Sequence, residues 1–240
     1  MDISNVTRQA RKLLKLKCCG AVIVAAGSAS RMGGIDKVMA ELDGEPMVVR
    51  TVRTFQNCDA IREIVVVTRP DLIVPIMSLC AGFDKVKAVV AGGDSRQASV
   101  ALGLNALSKN VKLAAIHDGA RPLVTWQVID RVIRAANTYG AAVPAIPVKD
   151  TVKVAQGGVV MNTPERKQLF AVQTPQVFDF DLLRGALKKA AEDGAEVTDD
   201  SSAVERLGIR VKIVEGDERN LKITTPMDLK IAKMLLEDMQ

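Results

Sequence analysis

The sequence predicts an α/β protein built on a mostly parallel sheet covered on both faces. Three observations lead there. Apolar, β-branched runs recur at 21–25, 64–68, 86–90, 113–116 and 141–146. Longer amphipathic segments separate them, as crossover helices would. The runs are continuous rather than alternating, as expected of strands buried on both sides. In such sheets ligands bind beyond the carboxyl ends of the strands, so the loops following these runs are where chemistry is expected.

Taken in order, residues 3–16 place Ile3, Val6, Ala10 and Leu13 at helical spacing opposite Arg8, Arg11, Lys12 and Lys15. This predicts a short basic amphipathic docking helix, a 1–19 extension outside the main domain. The strand and helix alternation then begins at Gly20. Residues 147–170 break it. Two short stretches, 151–155 and 159–162, flank Gln156-Gly157-Gly158 and read as a β-hairpin arm projecting from the domain. A helix over 181–192, a strand near 210–214 and a last helix opened by Pro226 follow. With no repeat and no linker, residues 20–240 are expected to form one domain.

Composition narrows the function. The chain has 240 residues, a formal charge of +5, 48% hydrophobic residues and 3% aromatics. So few aromatic rings leave little to stack on unpaired bases, which argues against a nucleic-acid partner. The longest uncharged stretch, 135–148, is interrupted by Gly140, Pro144 and Pro147 and is shorter than a membrane span, which needs about 18 apolar residues. No membrane partner is expected, and the start lacks the pattern of a secretory signal, so the expected location is cytoplasmic. Cys18, Cys19, Cys58 and Cys80 have no CxxC spacing and read as reduced, mostly buried side chains.

Three loops carry the chemistry. The first strand runs into Ala25-Ala26-Gly27-Ser28-Ala29-Ser30-Arg31-Met32-Gly33-Gly34-Ile35-Asp36-Lys37. Small residues let a ligand approach the backbone, whose N–H groups can cradle phosphate oxygens, and Arg31 and Lys37 supply countercharge. This is neither the GxxxxGK[ST] nor the GxGxxG loop. Gly92-Gly93-Asp94-Ser95-Arg96-Gln97-Ala98-Ser99 repeats the strand, glycine loop and helix order. His117-Asp118-Gly119-Ala120-Arg121-Pro122 ends a further strand. A lone carboxylate beside a phosphate loop suits Mg²⁺, which takes one or two carboxylates and completes its shell with phosphate and water. His117 reads as an orienting side chain rather than a base.

These loops, with Pro147-Val148-Lys149-Asp150-Thr151, Gln173-Thr174-Pro175-Gln176, Thr198-Asp199-Asp200 and Asn220-Leu221-Lys222-Ile223-Thr224, resemble the 2-C-methyl-D-erythritol 4-phosphate cytidylyltransferase family, in order, over about 20–237. The resemblance implies a Rossmann-like three-layer nucleotidyltransferase domain and a homodimer joined through the hairpin arm. It implies attack of a substrate phosphate oxygen on the α-phosphorus of CTP. Carried over residue by residue, Arg31, Lys37 and Lys222 would be catalytic and Asp118 would bind Mg²⁺. Ala25, Ala26, Gly27, Gly93, Asp94, Ser99 and Gly119 would frame the cytidine and its ribose. Thr151, Arg166 and Thr174 would contact the methylerythritol phosphate, with Arg96 and Arg121 supporting from behind.

The chain departs from the family's pattern twice. Asp36 and Val38 flank Lys37 where Pro and Gln are common, and Gly119 replaces a more usual Ala. The rival reading on the same fold is a ribitol 5-phosphate cytidylyltransferase. A noncatalytic nucleotide-binding protein is the rival from another class, but it has no need for Arg31, Lys37, Asp118 and Lys222 together.

Overall fold

The computed structural model describes residues 16–27 and 38–238. Its strands are β1 (Cys19–Ala25), β2 (Glu41–Leu42), β3 (Glu45–Pro46), β4 (Ile61–Thr68), β5 (Val86–Ala91), β6 (Leu113–Asp118), β7 (Ala141–Pro147), β8 (Val154–Gln156), β9 (Val159–Asn162), β10 (Phe170–Val172), β11 (Gln176–Asp179) and β12 (Lys212–Glu215). The helices are α1 (Met47–Gln56), α2 (Ile73–Leu79), α3 (Arg96–Ala106), α4 (Trp126–Tyr139), α5 (Phe180–Glu192), α6 (Asp200–Glu205) and α7 (Pro226–Glu237). The expected helix over 3–16 falls almost wholly outside the described residues.

The main sheet runs β10–β7–β11–β6–β1–β4–β5, with β12 paired to β7. β6, β1, β4 and β5 are parallel neighbours, as their continuous apolar runs predict. Period-two alternation divides their side chains between two layers of helices. On one face Ala21, Ile23, Ile64, Val66 and Ala115 pack with Val48, Val52 and Phe55 of α1 and Ile129 and Ile133 of α4. On the other, Val22, Val65, Val67, Ala114 and Ile116 meet Val100 and Leu104 of α3 and Leu183 and Leu187 of α5. Glycine makes one of these contacts possible: Gly20 lies so near Leu107 that a Cβ there would stand 2.8 Å from its side chain.

Two strands of the main sheet were not legible in the sequence. β11 enters between β6 and β7 and runs antiparallel to both, and β10 pairs antiparallel with the end of β7. The sheet is therefore mixed at this side. A third apolar cluster, Leu42, Met47, Leu123, Ile223, Ala232 and Leu236, seats α7 beside the loops at the strands' carboxyl ends. Pro226 opens that helix as expected, and Thr225 and Asp228 close a reciprocal cap around its first turn.

The hairpin stands apart as β8 and β9, joined through Gly157 and Gly158, both at positive φ. Its Val159, Val160 and Met161 are 65%, 55% and 61% exposed, so the arm leaves much of its apolar surface uncovered within the chain. Cys19, Cys58 and Cys80 are buried, and Cys18 is half-buried. Burial pushes all four thiols up, Cys80 to about 11, which disfavours the thiolate.

Candidate active site

Register explains why distant loops share one edge. Val24 pairs with Asp118, Ala25 with Thr68, and Thr68 with Ala91, so four parallel strands end together. At that edge the backbone is drawn in tightly. The Gly119 N–H donates to the Val24 carbonyl at 2.8 Å, and a Cβ on Gly119 would stand 3.1 Å from the Ala25 Cβ. Gly92 is closer still, where a Cβ would meet the Ala26 methyl at 2.5 Å and the Ser99 hydroxyl at 2.8 Å. Ala25, Ala26, Gly27, Gly93, Asp94 and Gly119 thus converge on one rim.

Ser99 lies beneath that rim rather than on it. It is 2% exposed, and its hydroxyl accepts from the Gly93 N–H at 3.1 Å while donating to the Ser95 carbonyl at 2.9 Å. Its work is to shape the glycine loop. Arg31 and Lys37, together with Asp36, lie outside the described residues.

Asp118 is the electrostatic centre. Lys222 Nζ stands 2.9 Å from Oδ2, Arg121 Nε 3.6 Å from the same oxygen, and Arg96 Nε 3.5 Å from Oδ1. Burial alone would push this carboxyl up. Lys222, then Arg96 and Arg121, outweigh it and hold the group well below the usual carboxylate range. Arg96 also pairs with the buried Asp200 at 2.7 Å. Arg121 donates to the Asn220 carbonyl at 2.7 Å, and the Ile223 N–H to the Ala120 carbonyl at 2.9 Å, which pins the loop carrying Lys222 against the loop after β6.

The acceptor-side residues separate into two places. Thr174 is 4% exposed and sits directly against Asp118, whose backbone N–H donates to the Thr174 hydroxyl at 3.1 Å. It arrives there because Gln176 of β11 pairs with Ile116 of β6, which carries the residues before it toward the strand's carboxyl end. Thr151 and Arg166 lie exposed at the base of the arm, where Arg166 donates to the Lys149 carbonyl at 3.1 Å. Among the described residues, no hydrogen bond or ion pair links Thr151 or Arg166 to Asp118 or Lys222.

Several supporting residues were quoted in motifs without a role. Gln173 Nε2 donates to the Asp217 carbonyl at 2.8 Å, its Oε1 accepts from the Asp217 N–H at 3.2 Å, and Asn220 Nδ2 donates to the Thr174 carbonyl at 2.9 Å. Polar residues 44 to 46 positions apart reveal such a network only once folded. His117 is fully buried, and burial lowers its imidazole to about 3, so it is neutral and unsuited to take a proton from a substrate.

The comparisons with known proteins point to one family. A family model described as 2-C-methyl-D-erythritol 4-phosphate cytidylyltransferase matches residues 19–238. A protein of that name from Caldanaerobacter subterraneus is 44% identical over 221 residues, covering 90% of this chain and 97% of its own. Another from Symbiobacterium thermophilum is 45% identical over 219 residues, covering 90% and 92%. Among solved structures, a 4-diphosphocytidyl-2C-methyl-D-erythritol synthase from Anaerococcus prevotii superposes with a TM-score of 0.84 at 33% identity, covering 92% of this chain and 96% of its own. A 2-C-methyl-D-erythritol 4-phosphate cytidylyltransferase from Thermus thermophilus gives 0.73 at 35% identity, covering 91% and 98%.

Proposed function

The chain belongs to the 2-C-methyl-D-erythritol 4-phosphate cytidylyltransferase family, and we infer from this that it transfers CMP from CTP to 2-C-methyl-D-erythritol 4-phosphate. The products are 4-diphosphocytidyl-2-C-methyl-D-erythritol and pyrophosphate. The observation that carries the reading is the Asp118 centre, a charged carboxylate ringed by Lys222, Arg96 and Arg121 at the strand ends. An attacking phosphate is already ionised near neutral pH. The protein therefore needs to align it with the α-phosphorus and meet the charge that develops there, which is work for cations. Lys222 would supply that charge from one side and Arg31 and Lys37 from the other, with the cytidine seated on the rim that Ser99 supports.

Mg²⁺ fits the donors present. Among the described residues no three His, Cys, Asp or Glu side chains stand together, so these residues do not enclose a cation by themselves. Asp118 offers one carboxylate at the point where phosphates would lie, the arrangement Mg²⁺ accepts when it binds with a nucleotide. Bound there, the ion would neutralise phosphate charge. The identity of the relatives favours methylerythritol phosphate over ribitol 5-phosphate as acceptor. The deciding assay is pyrophosphate release with each CTP and acceptor pair. Turnover with methylerythritol phosphate and little with ribitol 5-phosphate is expected, and the reverse would transfer the chain to the rival reading.

Residues 20–240 work as one domain and two copies form a homodimer through the arm. A two-stranded hairpin is marginal alone in water, and this one leaves Val154, Val159, Val160 and Met161 exposed. Two identical arms can cover one another across a two-fold axis. Arg166 would then grip the acceptor phosphate in the partner's site. Mixing inactive Lys37→Ala and Arg166→Ala chains is expected to restore activity, because each mixed dimer has one site with both residues intact. Mixed dimers verified by mass that stay inactive would place Arg166 in its own subunit's site or in none. No described helix is long and apolar enough to cross a membrane, and a cytoplasmic setting suits an enzyme using CTP.

A further inference from the structure

His117 stands next to Asp118 in β6, packed on the Phe55 ring with centroids 4.9 Å apart, and both of its ring nitrogens are engaged. Nε2 lies 3.2 Å from the Arg121 carbonyl oxygen. A carbonyl has no proton to give, so Nε2 carries the N–H and donates. A neutral imidazole has only one N–H, so Nδ1 is a bare lone pair. It lies 3.0 Å from the Thr174 hydroxyl, which must therefore donate to it. That hydroxyl also accepts from the Asp118 N–H at 3.1 Å. Its single proton and one of its two lone pairs are used.

We propose that His117 is a positioning residue for the acceptor substrate: by accepting the Thr174 hydroxyl's hydrogen bond at Nδ1 it leaves that hydroxyl able only to accept, so Thr174 recognises a substrate hydroxyl and not a phosphate oxygen. A phosphate oxygen facing it would set lone pair against lone pair. The acceptor's phosphate is thereby turned away from Thr174 and one of its alcohol groups toward it. The same chain of hydrogen bonds ties the Asp118 backbone to the loop before β11. This proposal rests on the acceptor being a phosphorylated polyol, as inferred above.

His117 is the chain's one histidine, so ¹⁵N NMR of tag-free protein reads its tautomer without assignment. The expected result is a neutral ring protonated at Nε2, with the Nδ1 resonance moving in Thr174→Val. A ring protonated at Nδ1 would overturn the proposal, whatever the enzyme's activity. Kinetics test the consequence, using methylerythritol phosphate and its three monodeoxy analogues at saturating CTP. One analogue is expected to lose about tenfold or more in kcat/KM with the wild type, as sites built to bond a hydroxyl reject its absence. Thr174→Val should abolish that discrimination. His117→Asn, whose amide oxygen replaces Nδ1 as acceptor, should retain it, and His117→Phe should lose it, with KM for CTP unchanged in each. Equal losses on all analogues in Thr174→Val would overturn the hydroxyl role. Wild-type protein inactive with methylerythritol phosphate but carrying the Nε2–H ring would sink the acceptor reading and leave the relay standing.

Discussion

Asp118→Asn is expected to lower turnover by about 10²–10³-fold, the loss typical of removing one preorganised electrostatic contact, and to leave a residual rate that no longer responds to Mg²⁺. The substitution keeps the side chain's size and removes its charge. Lys222, Arg96 and Arg121 then converge on a neutral amide, and Arg121 Nε, already without a hydrogen bond, loses its ion pair as well. Stability falls too. Breaking a fully buried pair costs about 3–5 kcal/mol, and less is expected here because Lys222 is 43% exposed and can be hydrated. The pH dependence has a definite sign. The folded group titrates below the unfolded carboxyl, so its stabilisation is complete above the unfolded value near pH 4 and disappears only as pH falls through the lower folded value. Denaturation midpoints of wild type and variant should therefore differ by a constant amount around neutrality and converge only in strong acid. Full turnover in Asp118→Asn, or in chelator, would remove the metal assignment.

Lys222→Ala should depress kcat by about 10²–10³-fold while raising KM for CTP far less. The reasoning is positional. Lys222 is held 2.9 Å from Asp118 by a loop anchored through the Asn220 carbonyl and the Ile223 N–H, yet its side chain remains 43% exposed. A pre-placed, half-open ammonium costs little reorganisation when negative charge develops beside it. Steady-state kinetics across CTP concentration decide the matter. A rise in KM alone, with kcat unchanged, would make Lys222 a ground-state binder of the triphosphate.

Much of the architecture was legible because burial writes itself into composition. Strands covered on both faces must be apolar throughout, and β1, β4, β5, β6 and β7 were found within a few residues of their observed bounds. The hairpin was legible from Gly157-Gly158 between short alternating stretches. β10 and β11 were not. Phe170–Val172 and Gln176–Asp179 are three and four residues long, and nothing in so short a run distinguishes a strand from a loop. α6 (Asp200–Glu205) escaped for the same reason, since six residues show no helical period. Within the candidate site, residue type marked the strand-end Asp118 and the glycine loops as candidates. Residue type said nothing of Ser99's burial beneath its loop, because a hydroxyl that faces a loop from below and one that faces solvent are the same letter.

By itself the sequence pointed to the strand ends that gather the candidate site, since parallel strands buried on both faces fix the direction of their loops and glycine, arginine and lysine mark what those loops could hold. Only the tertiary structure decided what meets Asp118. β11 runs antiparallel beside β6 and delivers Thr174 to the site from the opposite chain direction, and the loop before α7 folds back to set Lys222 against the same carboxylate. These contacts join residues 56 and 104 positions apart. They depend on strand order and register, which arise from how the whole sheet packs and leave no local pattern in the chain.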